Sequence, residues 1–474
     1  MEKILITTPI YYVNDKPHIG HAYTTLAADV LARFFRAQNK EVFFLTGTDE
    51  HGAKVAEAAE KNRKTPKQIC DENSEIFKNA WENLGIKYDY FIRTTDKQHE
   101  ETVKDFITRL KGKNAVYEKE YTGLYCKGCE KFLTDKDLVD GLCSDHKKEP
   151  EKISEKNYFF KLTDYLQEVE KLIKKGKLKI EPERAKNEVL GLLNQGLEDF
   201  SISRQKERLK WGIDLPFDEN QVVYVWVDAL LNYKTGDGSD RFKDYWKHGR
   251  VIHLLAKDIL KFHAIYWPAM LLAGGESLPD TEFIHGFFTI NGQKMSKTLG
   301  NVIDPNNLVE KFGSDAARYI LLSQFPLTQD GDVKEEKFIE KYNSDLANGL
   351  GNLVARILTL SIKNGIEKAN ADKEIEKIIK KTRENYKKNL EEIKLYETLE
   401  EIWKFISFCD KYIENNKPWE LVKTDKKKLE QVLSNLLYCI SEIADLIAPF
   451  LPETGKKIKN QIKTGKMEIL FPRI

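Results

Sequence analysis

Cysteine is scarce in this chain, with six residues in 474. Three of them fall between positions 126 and 143, and Cys70, Cys409 and Cys439 are scattered. That excludes a disulfide framework and fits a reducing cytoplasm with one metal site. Net charge is nearly absent too. Lys and Arg number 76 against 75 Asp and Glu. A globally basic chain is excluded, so any contact with nucleic acid comes from local patches. No uncharged apolar run reaches the roughly 18 residues of a membrane span. The apolar stretch at the N-terminus is too short for a secretory signal. Internal repeats and low-complexity linkers are missing as well. What remains is 41% hydrophobic and 32% charged, the balance of a folded, soluble chain. At roughly 150 residues per domain the length implies about three domains, with a substantial core.

The first fifty residues read strand, loop, helix, strand. Lys3 to Thr8 is β-prone and Pro9 to His18 is a loop. A helix follows from about Gly20, with Leu26, Val30 and Phe34 in one stripe. Glu41 to Thr46 is a second strand. This βαβ unit predicts a parallel sheet that takes ligands at the carboxyl ends of its strands. From residue 115 to 214 the alternation weakens and Gly, Cys and Lys become frequent, as in an inserted module. The α/β pattern then returns. Strands are predicted at Val222 to Val227, Val251 to Ala256 and Glu282 to Ile290, and a helical stretch at Asp258 to Leu272. Asp304-Pro305 reads as a helix start. Beyond about Gly331 the strand signals stop. Leu346, Leu350, Leu353, Ile357 and Leu360 make one helical stripe, and Ile402, Phe405, Ile406 and Cys409 another. Lys-rich runs such as 423–428 read as solvated faces. The predicted fold is α/β, a Rossmann-like parallel sheet. Its halves are 1–114 and 215–330, split by the module 115–214 and followed by the all-helical segment 331–474.

Three motifs carry chemistry. Pro17-His18-Ile19-Gly20-His21 sits where the first helix begins. A helix N-terminus offers free N–H groups and a positive dipole end, and so attracts phosphate. His18 and His21 share one face there and can hydrogen-bond phosphoryl oxygens, while Gly20 lets a nucleotide approach the backbone. The plainer alternative is two surface histidines. Lys294-Met295-Ser296-Lys297 follows the turn Asn291-Gly292. Two lysines on such a loop can neutralise a leaving pyrophosphate in the transition state; the alternative is a basic surface loop. Cys126-Lys-Gly-Cys129 and Cys143-Ser-Asp-His146 are separated by 13 residues. Three thiolates and one imidazole at that spacing fill a tetrahedral zinc site, leaving no open position, so the single zinc is structural.

The order and spacing of the histidine and lysine motifs resemble the two signatures of class I aminoacyl-tRNA synthetases. Thr7-Thr-Pro-Ile-Tyr-Tyr12, Gly47-Thr-Asp-Glu-His-Gly52, Tyr224-Val-Trp-Val-Asp-Ala229 and Lys257-Asp-Ile259 resemble the methionyl-tRNA synthetase family over nearly the whole chain. The resemblance implies a two-step reaction. Methionine and ATP give methionyl-adenylate and pyrophosphate, with Mg2+ accompanying ATP. The methionyl group then passes to the terminal ribose hydroxyl of initiator and elongator tRNA(Met). It implies catalytic roles for His18, His21, Lys294 and Lys297, and an ATP site completed by Gly20, Lys257, Asp258 and Ser296. Asp258 matches the residue near the ATP ribose.

The family's methionine pocket falls on Ile10, Tyr12, Asp49, Trp226, Ala229, Leu230, Tyr233, Phe262 and His263. Aromatic and aliphatic walls suit a thioether, Asp49 can hold the substrate ammonium, and His263 with the Tyr233 hydroxyl can offer a polar handle to sulfur. The plainer alternative for Trp226 and Phe262 is core packing. Arg204 matches a family segment and is assigned to substrate or pyrophosphate, against a surface arginine near the module junction. One departure is Ala256 before Lys257, where the family commonly has glycine; its methyl narrows the nucleotide site slightly. The metal motif resembles the family's one-zinc knuckle. In the helical segment, Asn352, Arg356 and Trp419 match positions that read the CAU anticodon by stacking and edge contacts, against a core role for Trp419. The chain ends at Ile474 without the further tRNA-binding domain that dimerises many relatives, which implies a monomer, or one served by a separate tRNA-binding subunit.

The rivals are distinguishable. Leucyl, isoleucyl and valyl enzymes carry a larger editing insertion, and a cysteinyl enzyme needs an open zinc position. A catalytically dead tRNA-binding protein needs neither signature motif. A small nucleotidyltransferase would lack the helical segment, the knuckle and the aromatic pocket.

Overall fold

The computed structural model describes residues 1–126, 131–133, 138–144, 147–295 and 302–474. They form two compact units. One comprises Met1–Pro17, Asn39–Asn79 and Lys87–His285, and the other His18–Gln38, Ala80–Ile86 and Gly286–Ile474. No described helix is long and apolar enough to cross a membrane.

The first unit is built on a six-stranded sheet. Its strands are β1 (Lys3–Tyr12), β2 (Glu41–Asp49), β3 (Tyr90–Arg93), β4 (Lys179–Glu181), β5 (Arg250–Ala256) and β6 (Thr281–His285). The order is β3-β2-β1-β5-β6-β4, and every neighbouring pair is parallel. Strands covered on both faces read as unbroken apolar runs, as in Ile4-Leu5-Ile6 and Leu254-Leu255, all buried. The order reverses between β1 and β5, where α/β sheets open their ligand crevice. Lys179–Glu181 lies within the stretch read as inserted, yet it pairs with β6 as a sheet edge. The rest of that stretch is led by an antiparallel pair, Val116–Cys126 with Glu151–Phe160.

Two elements differ from their predicted form. β1 does not stop at Thr8. Its register against β2 shifts between Thr7 and Ile10 and then resumes, so that Ile10 faces Gly47 and Tyr12 faces Asp49. Pro9 has no N–H for the ladder, which explains the break, but the extended backbone continues past it. Gly47 is required there, since a Cβ would lie 2.0 Å from the Ile92 carbonyl oxygen. The run predicted as a strand at Val222 to Val227 divides instead. Asp218–Val223 is a strand, and Val225–Leu230 is a short helix with Asp228 in its first turn. Valine and tryptophan favour strands only where the surroundings offer a partner strand.

The second unit carries helix α1 (Ile19–Ala37) and a small sheet of Phe288–Ile290, Gln293–Lys294 and Gly331–Asp332. The predicted strand Glu282 to Ile290 is broken at Gly286-Phe287 into two strands, one in each unit. After Glu335 the described chain is helical. Leu346, Leu350, Leu353 and Ile357 are buried as the stripe requires, and 423–428 is exposed.

A buried ion pair holds this unit. Arg318 Nη2 meets Asp29 Oδ2 at 2.7 Å with both side chains fully buried. The same guanidinium donates to the carbonyls of Leu84, Pro449 and Phe450 at 3.1, 2.9 and 2.7 Å. It thereby ties together α1, the 80–86 segment and the end of the helix Lys426–Ile447. Removing one member of such a pair strands the other charge in low dielectric. Asp29→Ala is therefore expected to lower stability by about 3–5 kcal/mol, read as a shift in denaturant midpoint.

Candidate active site

The histidine motif opens α1. His18 is the N-cap residue, and its Nδ1 accepts from the Gly20 N–H at 3.0 Å; His21 Nδ1 accepts from the His18 N–H at 3.2 Å. This is a reciprocal cap made by imidazoles. An Nδ1 that accepts places the proton of a neutral ring on Nε2, so each histidine carries a donor on its outer nitrogen. The rings stack with centroids 3.7 Å apart. No acidic side chain occupies the first turn, which leaves the dipole end for an external anion. Gly20 is tight: a Cβ there would sit 2.8 Å from His18 Cε1, with Met295 Cε at 3.4 Å, so Met295 of the lysine motif reaches the histidine motif. Of the lysine motif, the Lys294 backbone closes a strand pair with Thr289. The Lys294 side chain, Ser296 and Lys297 lie outside the described residues.

In the other unit, the edge formed by the strand ends carries the pocket candidates. Ile10 and Tyr12 end β1, and Asp49 ends β2 beside Tyr12. Lys257 and Asp258 follow β5 in an exposed single turn, with Ala256 at the strand's last position. Trp226, Ala229 and Leu230 lie on the helix Val225–Leu230, and Tyr233 on Asn232–Thr235. Phe262 and His263 lie on Phe262–Tyr266, a wide turn of the i→i+5 kind, a form that recurs at functional sites.

Two pairs among these residues come together. Trp226 and Phe262 stack with centroids 4.0 Å apart and planes 7° from parallel. Both are only half-buried and pack on the core. The Tyr233 hydroxyl lies 2.9 Å from His263 Nε2, and His263 Nδ1 lies 3.0 Å from the Ile259 carbonyl. A carbonyl only accepts, so Nδ1 carries the proton, and Nε2 accepts from Tyr233. Burial pushes the His263 imidazole down to about 4, against the hydrogen bond to Ile259. Burial also holds the Tyr233 phenol well above its ordinary value. The pair is therefore neutral. With both His263 nitrogens engaged, the Tyr233 oxygen is the atom of this pair with a lone pair still to offer.

Arg204 is not a surface residue. It is 5% exposed, on the strand Ser203–Gln205. It donates to Ser201 Oγ and the Ser203 carbonyl at 3.0 and 2.7 Å. Its guanidinium lies over the Tyr224 ring at 4.0 Å, with Tyr125 and Phe132 of the inserted stretch at 5.6 Å each. Cys126 and Cys143 are both buried in one small cluster with Leu133, flanked by Leu124 and Leu138. Cys129 and His146 lie outside the described residues. Among the described residues no group of three or more such ligands is assembled. In the second unit Asn352 is exposed at the start of Asn352–Lys363. Arg356, on the same helix, pairs with Glu414 at 2.7 Å and Asp410 at 3.4 Å. Trp419 is 43% exposed, which removes the core-packing alternative.

Sequence reasoning missed a buried polar group beside the pocket: His51, His99 and Asp228. The signal was available, because His51 and Asp228 stand inside motifs singled out for their neighbours.

The family described as tRNA synthetases class I (M) matches residues 4–152 and 135–358, and the anticodon-binding domain of tRNA ligase matches 372–471. A methionine–tRNA ligase of Caldanaerobacter subterraneus subsp. tengcongensis is 42% identical, over 99% of this chain and 78% of its own length. One from Clostridium tetani is 44% identical over the same shares. Mycobacterium tuberculosis methionyl-tRNA synthetase in complex with methionyl-adenylate gives a TM-score of 0.91 at 35% identity, covering 100% of this chain and 98% of that one.

The depressed His263 value has a signed consequence. The unfolded chain binds the proton near 6.5 and the folded chain only near 4. Stability is thus expected to fall as pH drops through that window. His263→Gln should flatten this slope, measured by denaturant melts at several pH values.

Proposed function

The chain belongs to the methionyl branch of the class I tRNA synthetases, and from that premise we propose how its residues join methionine to tRNA(Met). A methionine carboxylate oxygen attacks the α-phosphorus of ATP. The new O–P bond forms as the bond to the bridging oxygen breaks, giving methionyl-adenylate and pyrophosphate. The adenylate's acyl carbon is then attacked by the terminal ribose hydroxyl of the tRNA, and AMP leaves.

His18 and His21 present Nε2–H donors to the phosphoryl oxygens as negative charge builds, at a helix end already polarised for anions. Lys294 and Lys297 neutralise the pyrophosphate, and Lys257, Asp258, Gly20 and Ser296 complete the nucleotide site. Magnesium bound with ATP supplies further charge neutralisation. The side chain of methionine lies against Trp226, Phe262, Ala229, Leu230 and Ile10, with Tyr12 beside Asp49 at the ammonium end. The observation that carries the reading is the Tyr233–His263 hydrogen bond next along the chain to the stacked Trp226–Phe262 pair, surroundings suited to a polarisable, uncharged thioether.

The chain divides functionally into sheet halves 1–114 and 215–330, the connective module 115–214 and the helical segment 331–474. Cys126, Cys129, Cys143 and His146 would hold one zinc, whose role is to cross-link the module's turns. Two of these thiols already share one buried cluster, which supports the fit. The exposed Trp419 face, with Asn352 and Arg356, serves anticodon bases. A cytoplasmic setting accords with a chain of few, mostly scattered cysteines that show no disulfide framework in their spacing.

ATP–pyrophosphate exchange is expected with methionine and with none of the other amino acids. His21→Ala should lower the exchange rate by about 10²–10³-fold, as loss of one transition-state donor does. Exchange driven by another amino acid would overturn the specificity. Metal analysis is expected to find one zinc per chain, and Cys143→Ser should lose it, with the module becoming protease-sensitive.

A further inference from the structure

Asp228 is fully buried, and its two carboxylate oxygens go to two different histidines. Oδ2 meets His51 Nδ1 and Oδ1 meets His99 Nε2, each at 2.7 Å. His51 and His99 are themselves buried. A carboxylate only accepts, so both imidazoles donate. His99 Nδ1 continues the chain to Thr235 Oγ1 at 3.1 Å, which reaches the Leu231 carbonyl. Burial opposes charge on both His51 and Asp228. Their mutual attraction wins, holding the imidazole above and the carboxyl below its ordinary value.

The place of this chain in the fold matters more than its charge. His51 directly follows the Asp49-Glu50 end of β2. That turn is pinned from other sides too. Glu50 pairs with Arg93 at 2.6 and 2.9 Å, and the Gly52 N–H donates to the Trp211 carbonyl at 3.1 Å. Asp228 sits between Trp226 and Ala229 on the short helix Val225–Leu230, which has no side-chain cap of its own. His99 opens the helix Lys97–Gly112. The end of β2 that carries Asp49 and the short helix that carries Trp226, Ala229 and Leu230 are thus joined through one carboxylate.

We infer that His51, Asp228 and His99 are positioning residues for the amino-acid substrate, setting the span between the group that holds its ammonium and the wall that meets its side chain. The inference rests on the methionine reading above. None of the three needs to touch substrate. A six-residue helix has too few internal hydrogen bonds to fix its own placement, and sites loosened by about 1 Å lose affinity and rate together with their supporting contacts.

The test is methionine-dependent ATP–pyrophosphate exchange on the full chain, with KM for methionine, KM for ATP and kcat measured separately. Variants are Asp228→Asn, which can accept from only one histidine, His51→Gln, which misplaces the donor, and His51→Asn, which keeps a donor at the Nδ1 position. KM for methionine should rise about tenfold or more in Asp228→Asn and His51→Gln, with KM for ATP within about twofold. His51→Asn should restore KM for methionine to within about threefold of wild type. A folded Asp228→Asn with unchanged KM for methionine overturns the inference, as do both KM values rising together. If Asp228→Asn does not fold, the His51 pair decides, and equal behaviour of Gln and Asn overturns it. A wild type without methionine exchange overturns the functional reading and the inference with it, a result distinct from an active wild type with indifferent variants.

Discussion

Parallel pairing of β1 with β5 is the constraint on which the proposed amino-acid pocket depends. The two strands are far apart in the chain, yet Thr7 Oγ1 and His253 Nδ1 lie 2.6 Å apart across 246 positions. Parallel strands point their carboxyl ends the same way. Ile10 and Tyr12 therefore emerge at the same edge as Lys257 and Asp258, and β2 adds Asp49 beside Tyr12. The resumed register after Pro9 is part of this constraint. A β1 ending at Thr8 would leave Tyr12 in a loop, with no strand to hold it against Asp49.

Burial acts on titratable groups in two opposite ways within one unit. Among the described residues no carboxylate is hydrogen-bonded to His263 or His253, and desolvation outweighs what opposes it, Asp258 near His263 included, so both are held below the ordinary imidazole value. His51 has Asp228 at hydrogen-bond distance, and there the charged pair survives the same burial. The consequence is a neutral pocket interior next to a charged brace, each maintained without the other's help. The second unit repeats the second solution in Asp29 and Arg318, where backbone carbonyls share the guanidinium.

Much of this was legible beforehand. Short β-prone apolar runs located β1, β2 and β5, because strands buried on both faces carry them, and period-3.6 stripes located α1 and the helical C-terminal half. The histidine, lysine and cysteine motifs were legible because each is a set of residue types at short local spacing: an imidazole pair at a helix start, two lysines three apart, two short segments bearing cysteine and histidine. The helix at Val225–Leu230 was not legible, since its valines and tryptophan favour a strand in isolation. Nor was the edge strand Lys179–Glu181, whose three residues carry no period at all.

The sequence by itself determined the family and, through it, the reaction, because the motifs that mark them depend on short-range order along the chain. Tertiary structure alone brought the Tyr233 hydroxyl to His263 Nε2 across 30 positions, whereas the cap hydrogen bonds that orient His18 and His21 are local. It alone turned Arg204 inward onto three aromatic rings and left Trp419 exposed. It alone made Asp228 the joint between His51 and His99, residues 177 and 129 positions away. No local pattern encodes such a contact, because its free energy depends on desolvation and geometry that exist only once the sheet has closed.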